Sequence, residues 1–274
     1  MAHALLKRFA PMQSRDSFDP IAPRRSLLPF LTVPLDADAA TLRRELETLH
    51  RSAREAWRLR RELAAFFLVT VALFGVSQVV REVIHPGLPP LSQMGRSWAF
   101  LLLLLVPIGW FVRRQPLPLR DLGLTTRGAR ESLREAALVA VGIALAGVAL
   151  RLGPALRGEP WLLWGSVATY SRGEFALFLL AYGPHCLLQE FIARGVIQTS
   201  LERLLPPDAG PLAPVLVTSV LFGVFHLYVS PGFALTTFVV SALLGAFYAR
   251  RRTLAGVTAV HAALGLASVA VGLN

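Results

Sequence analysis

Glu190 and Arg194 are the charged residues best placed for chemistry, because they lie four positions apart in the otherwise mostly apolar sequence Pro184 to Gly195. On a helix this spacing puts both side chains on one face, in the order that favours an ion pair. Charged groups inside apolar helices are costly and need a partner or a function. Such a pair at a helix end also has a purely structural explanation, so the spacing alone leaves both interpretations open.

Two histidines occur in separate apolar stretches further along the chain. His226 ends the motif that begins at Phe222, and His261 lies in the last stretch, with Gly265 and Ser268 one and two turns further along its face. Imidazole titrates near neutral pH and can move protons or hold a water. A lone intramembrane histidine is also commonly just an interhelical hydrogen bond. The occurrence of an acid, an arginine and two histidines on three helices favours a functional site.

Three further polar or reactive residues precede Glu190. Gln189 is its direct neighbour, and His185 lies one turn earlier on the face of Gln189. His185 is suited to orienting a water there, or it lies near a helix start and is only interfacial. Cys186 is the only cysteine, so intrachain disulfides and multi-cysteine metal sites are excluded. We interpret it as a small buried apolar residue.

The elements that must position these residues are predicted to be membrane helices. Apolar residues make up 54% of the 274, charged residues only 16%, and the mean hydropathy is +0.54. The apolar residues are clustered into seven runs, several of them shorter than the roughly 20 residues of a perpendicular membrane span. We therefore expect an all-α, polytopic membrane bundle of about seven transmembrane helices. The runs are Leu63 to Val80, Ser97 to Val112, Ala136 to Leu150, Phe175 to Leu188, Leu212 to Tyr228, Phe233 to Tyr248 and Leu254 to Leu273.

The basic residues predict the orientation of these helices. The formal net charge is +11, and Lys7 is the only lysine. A basic excess indicates nucleic acid or an anionic membrane surface, but here the arginines lie between apolar runs, so no nucleic-acid partner is expected. With the N-terminus inside, the inner segments carry 23 Lys and Arg and the outer segments five. Basic loops resist translocation, so the N-terminus is predicted to be cytoplasmic and the C-terminus external.

Two segments precede the first run. Residues 1–36 are polar and proline-containing, and we interpret them as a disordered cytoplasmic tail. Residues 37–62 are predicted to form an amphipathic helix lying in the membrane interface, capped by Asp38. Its apolar stripe opposes an arginine-rich face, although a solvated or self-associating helix is the alternative. Residues 63–274 are predicted to be the membrane domain. The stripe consists of Leu42, Leu46, Leu49, Ala53 and Trp57.

The ordered set of motifs resembles the CPBP family of intramembrane proteases, which includes the type II CAAX prenyl proteases and bacteriocin-processing or Abi proteins. That family carries Glu-Glu-x-x-x-Arg, Phe-x-x-x-His and His-x-x-x-Asn on successive helices. The resemblance covers about residues 118–270 and includes Leu122-Gly123-Leu124, and Gly245 with the exit Tyr248-Ala249-Arg250. Glu190, Arg194, Gly195, Phe222, His226 and His261 match the family residues at their positions.

Two positions depart from the family pattern. Gln189 replaces the first acid, which the family is taken to use to activate water, and Gly265 replaces an asparagine thought to hold the oxyanion. An amide cannot accept the proton at neutral pH, and glycine has no side chain to donate a hydrogen bond. Glu190, His185 and Ser268 are candidate substitutes.

The resemblance implies a glutamic intramembrane endopeptidase of a bacterial inner membrane, cleaving a membrane-associated or C-terminally anchored protein. Glu190 would be the remaining acid, oriented by Arg194. His226 and His261 would bind water and polarise the carbonyl. No cofactor is expected, although His226, His261 and Glu190 would also be a known zinc ligand set. The alternatives are a pseudoprotease that binds a membrane peptide or a partner protease, and a transporter subunit.

Overall fold

A computed structural model describes residues 38–84, 90–114, 118–163, 170–227 and 229–272. The predicted tail, residues 1–36, lies outside these ranges. Eight α-helices are present in the described residues, with a π-helix, Phe191–Gln198, joining α4 to α5. They are α1 (Ala39–Ile84), α2 (Pro90–Arg114), α3 (Ala129–Leu156), α4 (Arg172–Glu190), α5 (Thr199–Leu204), α6 (Leu212–Val224), α7 (Pro231–Arg251) and α8 (Leu254–Val271).

The all-α membrane bundle predicted from the hydropathy is confirmed. Each of the seven apolar runs lies largely within a helix. Within the described ranges, six helical segments are long and apolar enough to cross a membrane, and the helix Leu212–Val224 is shorter. Many large apolar side chains on these helices are exposed, as expected for a surface that faces lipid tails instead of water. The chain is a multi-pass membrane protein.

The N-terminal part of α1 is continuous with the first membrane run. Asp38 Oδ1 accepts a hydrogen bond from the Thr41 amide at 2.7 Å, so the predicted cap is present. The helix does not end near Glu62 but continues to Ile84 as one 46-residue rod. The predicted amphipathic segment 37–62 is therefore not a separate helix in the structure. Whether it lies against the membrane interface stays a prediction.

Glu190 and Arg194 lie on a second continuous helical rod, which is longer than the apolar run predicted for it from the sequence. α4 begins with a capping box, in which the Ser171 amide donates to Glu174 Oε2 and the Glu174 amide donates to Ser171 Oγ. The sequence predicts that this helix ends near Leu188, but the π-helix and α5 extend it without a break to Leu204. Both charged residues therefore lie in the middle of the rod, and the interpretation as a helix-end pair is wrong.

The last helix, α8, is the element against which the site is built. It packs most extensively on α3, where a Cβ on Gly256 would lie 2.6 Å from the backbone oxygen of Ser132. It also packs along α4. Glycine at this crossing permits close backbone approach, a common device in membrane bundles. The contacts fix α8 on two sides, which sets the position of His261.

Candidate active site

Three polar residues at four-residue steps point into the protein from the rod that begins with α4. Glu190, Arg194 and Gln198 are each fully buried. The π-helix begins directly after Glu190 and contains the other two. Single π turns occur frequently at functional sites, because they shift the helix face that the following side chains occupy.

Glu190 accepts two hydrogen bonds from charged or titratable partners. Arg194 Nε donates to Oε2 at 3.0 Å, and His261 Nδ1 lies 2.7 Å from Oε1. The ion pair predicted from the four-residue spacing is therefore present, and both of its side chains are buried. Through Oε1, Glu190 connects its helix to His261 on α8. Removing either partner would leave an uncompensated buried charge or a broken contact.

Arg194 is held from the opposite side by α7. Its Nη2 donates to Ser241 Oγ at 2.8 Å, and a Cβ on Gly245 would lie 3.0 Å from its Nη1. The same Cβ would lie 3.0 Å from Gln198 Oε1. Gln198 Nε2 in turn donates to the Gly245 carbonyl at 3.3 Å. Gly245 therefore leaves the space in which the guanidinium group lies.

The two histidines both lie close to one aromatic ring. Phe222 has its ring centroid 4.6 Å from that of His226 and 6.1 Å from that of His261. His226 follows the end of α6, in a turn, and its Nδ1 lies 2.6 Å from the Phe222 carbonyl. A carbonyl only accepts, so Nδ1 of His226 donates. The structure thus brings Glu190, His261, Phe222 and His226 into one chain of contacts.

A cavity of about 180 Å³ borders this group. Its wall includes Gln189, Phe222 and His226, together with residues of α1, α2 and the π-helix. Several of the lining groups are polar although the surrounding helices are apolar: Thr70, Ser77, Gln78, Arg96, Ser97 and Thr218. Polar groups at membrane depth are typical of paths for a substrate or water.

His185 is not at a helix start, because α4 extends from Arg172 to Glu190. It is buried and shares a 2.8 Å hydrogen bond with Ser97, one of the cavity-lining residues. Its ring also contacts Trp98 and stacks on Tyr182. The expectation that His185 lies near a helix start is therefore wrong. His185 supports the wall of the cavity through its hydrogen bond to Ser97.

Gly265 and Ser268 do not supply a donor to this site. The Ser268 hydroxyl donates to the carbonyls of Leu264 and Gly265 in its own helix, at 3.2 Å each. A Cβ on Gly265 would overlap the phenol oxygen of Tyr182 and lie 2.7 Å from its Cζ. Tyr182 was not predicted as a site residue. The sequence does place Tyr182 on one helix face with Cys186 and Glu190, at four-residue steps. The same spacing also occurs in ordinary helix packing, so the sequence alone does not identify Tyr182 as a site residue.

Two other positions noted in the sequence have structural explanations. Gly123 has a φ of +81°, and its carbonyl accepts from the Leu254 amide at 3.0 Å. A Cβ on Gly195 would lie 2.6 Å from the Leu122 carbonyl oxygen. The segment around Leu122 therefore packs directly on the π-helix and on the start of α8. Cys186 is a free, buried thiol, as predicted.

No group of three or more His, Cys, Asp and Glu within the described ranges has an arrangement that would hold a metal ion. The fit of Glu190 to a metal is also poor, because both of its oxygens already have partners, Arg194 and His261. The zinc site considered from the sequence is therefore not supported by the donor set that the structure assembles.

Residues 171–267 match a family model described as type II CAAX prenyl endopeptidase Rce1-like. The match begins at the cap of α4, ends within α8 and includes every residue of the contact chain described above. The resemblance to the CPBP family stated from the motifs is confirmed. No curated protein and no solved structure matches the chain.

Proposed function

We propose that this chain, whose residues 171–267 match the type II CAAX prenyl endopeptidase model, is a working intramembrane endopeptidase. The observation that supports this most directly is the 2.7 Å contact between Glu190 and His261, which is connected through Phe222 to a cavity between the membrane helices. A buried carboxylate that orients an imidazole is an arrangement that hydrolases use to hold a base.

His261 is the group that we assign to water activation. An ionised carboxylate only accepts hydrogen bonds, so the proton of the neutral imidazole lies on Nδ1, and Nε2 is the nitrogen that accepts a proton. Glu190 is fully buried and engaged on both oxygens. Its role is therefore to position His261 and to stabilise the imidazolium that forms, while Arg194 orients Glu190.

Gln189 and His226 face the cavity, where the scissile peptide would lie. The Gln189 amide has two N–H donors, which suit the carbonyl oxygen as it gains negative charge. His226 donates from Nδ1 to the Phe222 carbonyl, so in the neutral ring Nε2 accepts a hydrogen bond from the attacking water. Gln189 is thus a donor and not a missing base.

The reaction follows from these positions. Water oxygen forms a bond to the carbonyl carbon while its proton moves to Nε2 of His261, giving a tetrahedral oxyanion. The protonated His261 then donates that proton to the amide nitrogen, the C–N bond breaks, and a carboxylic acid and an amine are released. General acid–base catalysis by such a group contributes about 10² to 10⁴ in rate.

The substrate that we propose is a membrane-associated or C-terminally anchored protein, because the cavity lies between membrane helices. The chain would lie in a bacterial inner membrane with its N-terminus in the cytoplasm, since 23 of its 28 Lys and Arg lie in the segments assigned to that side. Lipid is the surrounding medium of the exposed apolar helix faces.

The test is processing of membrane proteins co-expressed with the chain, followed by mass analysis of their new termini. We expect cleavage by the wild type and a loss of at least about 100-fold in His261→Asn, since the base is removed. Gln189→Glu should also lose about 100-fold, because a carboxylate replaces a donor near the developing oxyanion. Glu131→Gln, on the exposed surface of α3, is the control for these substitutions.

Each opposite result has a defined meaning. Faster cleavage by Gln189→Glu would identify position 189 as the place of the water-activating base and remove that role from His261. No cleavage by folded wild type would favour a pseudoprotease that binds a membrane peptide or a partner protease. Full activity of His261→Asn would contradict the proposed site.

A further inference from the structure

We infer that Tyr182 acts as a hydrogen-bond donor to the substrate carbonyl, from the position that a side chain at residue 265 would occupy. This inference rests on the proposed function, because it adds a catalytic residue to the same site. Its starting observation is steric: a Cβ built on Gly265 would overlap the Tyr182 phenol oxygen and would lie 2.7 Å from Cζ and 3.1 Å from Cε1. The Tyr182 phenol group and a side chain at residue 265 therefore cannot occupy this space together.

The position matters because Gly265 lies one helical turn after His261. Cβ atoms four residues apart on a helix are about 5–6 Å from each other, so the phenol oxygen lies at roughly that distance from Cβ of His261. The hydroxyl is therefore on the side of α8 that carries His261.

The surroundings of Tyr182 fix its ring and leave its hydroxyl able to change partner. The ring stacks between Phe178, at 5.3 Å, and His185, at 6.4 Å. The Cys186 thiol, one helical turn further along α4, is the side chain that interacts with the hydroxyl. A thiol is a weak partner, so a carbonyl oxygen that is gaining negative charge would compete well for the same donor.

Ser268, a hydroxyl further along the same face of α8, is bonded to its own helix through Leu264 and Gly265. Tyr182 presents its hydroxyl from α4, next to the face of α8 that carries His261 and Gly265. Glycine at residue 265 is what admits it.

The first experiment compares Tyr182→Phe with Tyr170→Phe in the processing assay. Tyr182→Phe keeps the ring and removes only the donor, so kcat should fall about 100-fold with little change in KM and in thermal stability. Tyr170, whose ring contacts Phe178 in the same aromatic row, is the matched control and should keep wild-type rates. A merely structural role would lower stability without this selective loss of kcat. Unchanged kcat in Tyr182→Phe would overturn the inference while leaving the proposed function intact.

The second experiment tests the shared space directly. Gly265→Asn alone should lower the unfolding temperature, because it displaces the phenol ring. In the Tyr182→Ala background the same substitution should be tolerated and should recover at least tenfold of the lost rate, since its amide provides a donor in the same place. Equal destabilisation by Gly265→Asn in both backgrounds would contradict the shared position. If wild type cleaves nothing, the proposed function and the donor role fail together, and only the stability comparison then decides whether the space is shared.

Discussion

Gln189 and Glu190 are neighbours in the sequence, but they face two different regions of the molecule. Gln189 is half-buried and lines the cavity, together with Phe222 and His226. Glu190 points into the core, where it is fully buried and bonded to Arg194 and His261. One side of α4 therefore presents an uncharged amide to the cavity, and the other side holds a charged network among helices.

Because Gln189 and Glu190 face different regions, contact with the cavity and orientation of the buried network fall to two different side chains. A carboxylate that is buried and has both oxygens engaged is suited to orienting its partners, because any movement breaks a buried ion pair. A side chain on the cavity wall is suited to contacting substrate. Substitutions on the core side should therefore affect folding first, and substitutions on the cavity side should affect activity first.

The largest expected effect is the loss of Arg194. Arg194→Leu leaves Glu190 buried without its countercharge and should destabilise the protein by about 3–5 kcal/mol. Thermal unfolding in detergent, followed by circular dichroism, measures this loss. Gln189→Leu, on the cavity side, is the control and should cost about 1 kcal/mol or less.

The double variant Glu190→Leu/Arg194→Leu sharpens the same comparison. Replacing both members of a buried ion pair by apolar groups removes the uncompensated charge, so stability should return at least in part. Equal destabilisation by Arg194→Leu and Gln189→Leu would show that the two sides of α4 do not differ in this way.

An intermediate effect is expected at Gly245. A Cβ there would lie 2.8 Å from Cγ1 of Val215 and 3.0 Å from Nη1 of Arg194, so Gly245→Ala must displace the guanidinium group. We expect a loss of about 1–3 kcal/mol from this overpacking, together with lower activity, because Arg194 orients Glu190. Gly232→Ala in the same helix is the matched control, since its nearest neighbour is Ser230 Oγ at 4.0 Å. Wild-type stability in Gly245→Ala would show that the core side tolerates movement of Arg194.

The helices were predictable from sequence because each run of apolar residues is a local property, and the cap at Asp38 is local as well. The end of the rod formed by α4, the π-helix and α5, at Leu204, was not predictable. Glu190 and Arg194 lower the local hydropathy, so the apolar run stops before them. Their mutual ion pair removes this cost and lets the helix continue through the membrane.

The site was predictable only where the spacing along one helix determines a contact. The pairing of Glu190 with Arg194 follows from four residues on one helix. The bond between Glu190 and His261, and the phenol group over Gly265, depend on how closely α4 and α8 approach. Such distances are tertiary, and a glycine in the sequence does not show which side chain fills its space.

The smallest expected effect is on the support of the cavity wall by Ser97. Its hydroxyl shares a 2.8 Å hydrogen bond with Nε2 of His185, whose side chain is buried. Ser97→Ala should cost about 0.5–1.5 kcal/mol of stability, because the imidazole nitrogen loses its partner away from water. Ser77→Ala is the matched control, since Ser77 also lines the cavity but donates at 2.7 Å to the Phe74 carbonyl of its own helix. If His185 only supports the wall, cleavage by Ser97→Ala should fall less than about fivefold, the equivalent of 1 kcal/mol. A loss beyond about 100-fold at unchanged stability would place His185 in the chemistry and make the cavity side the larger part of the active site.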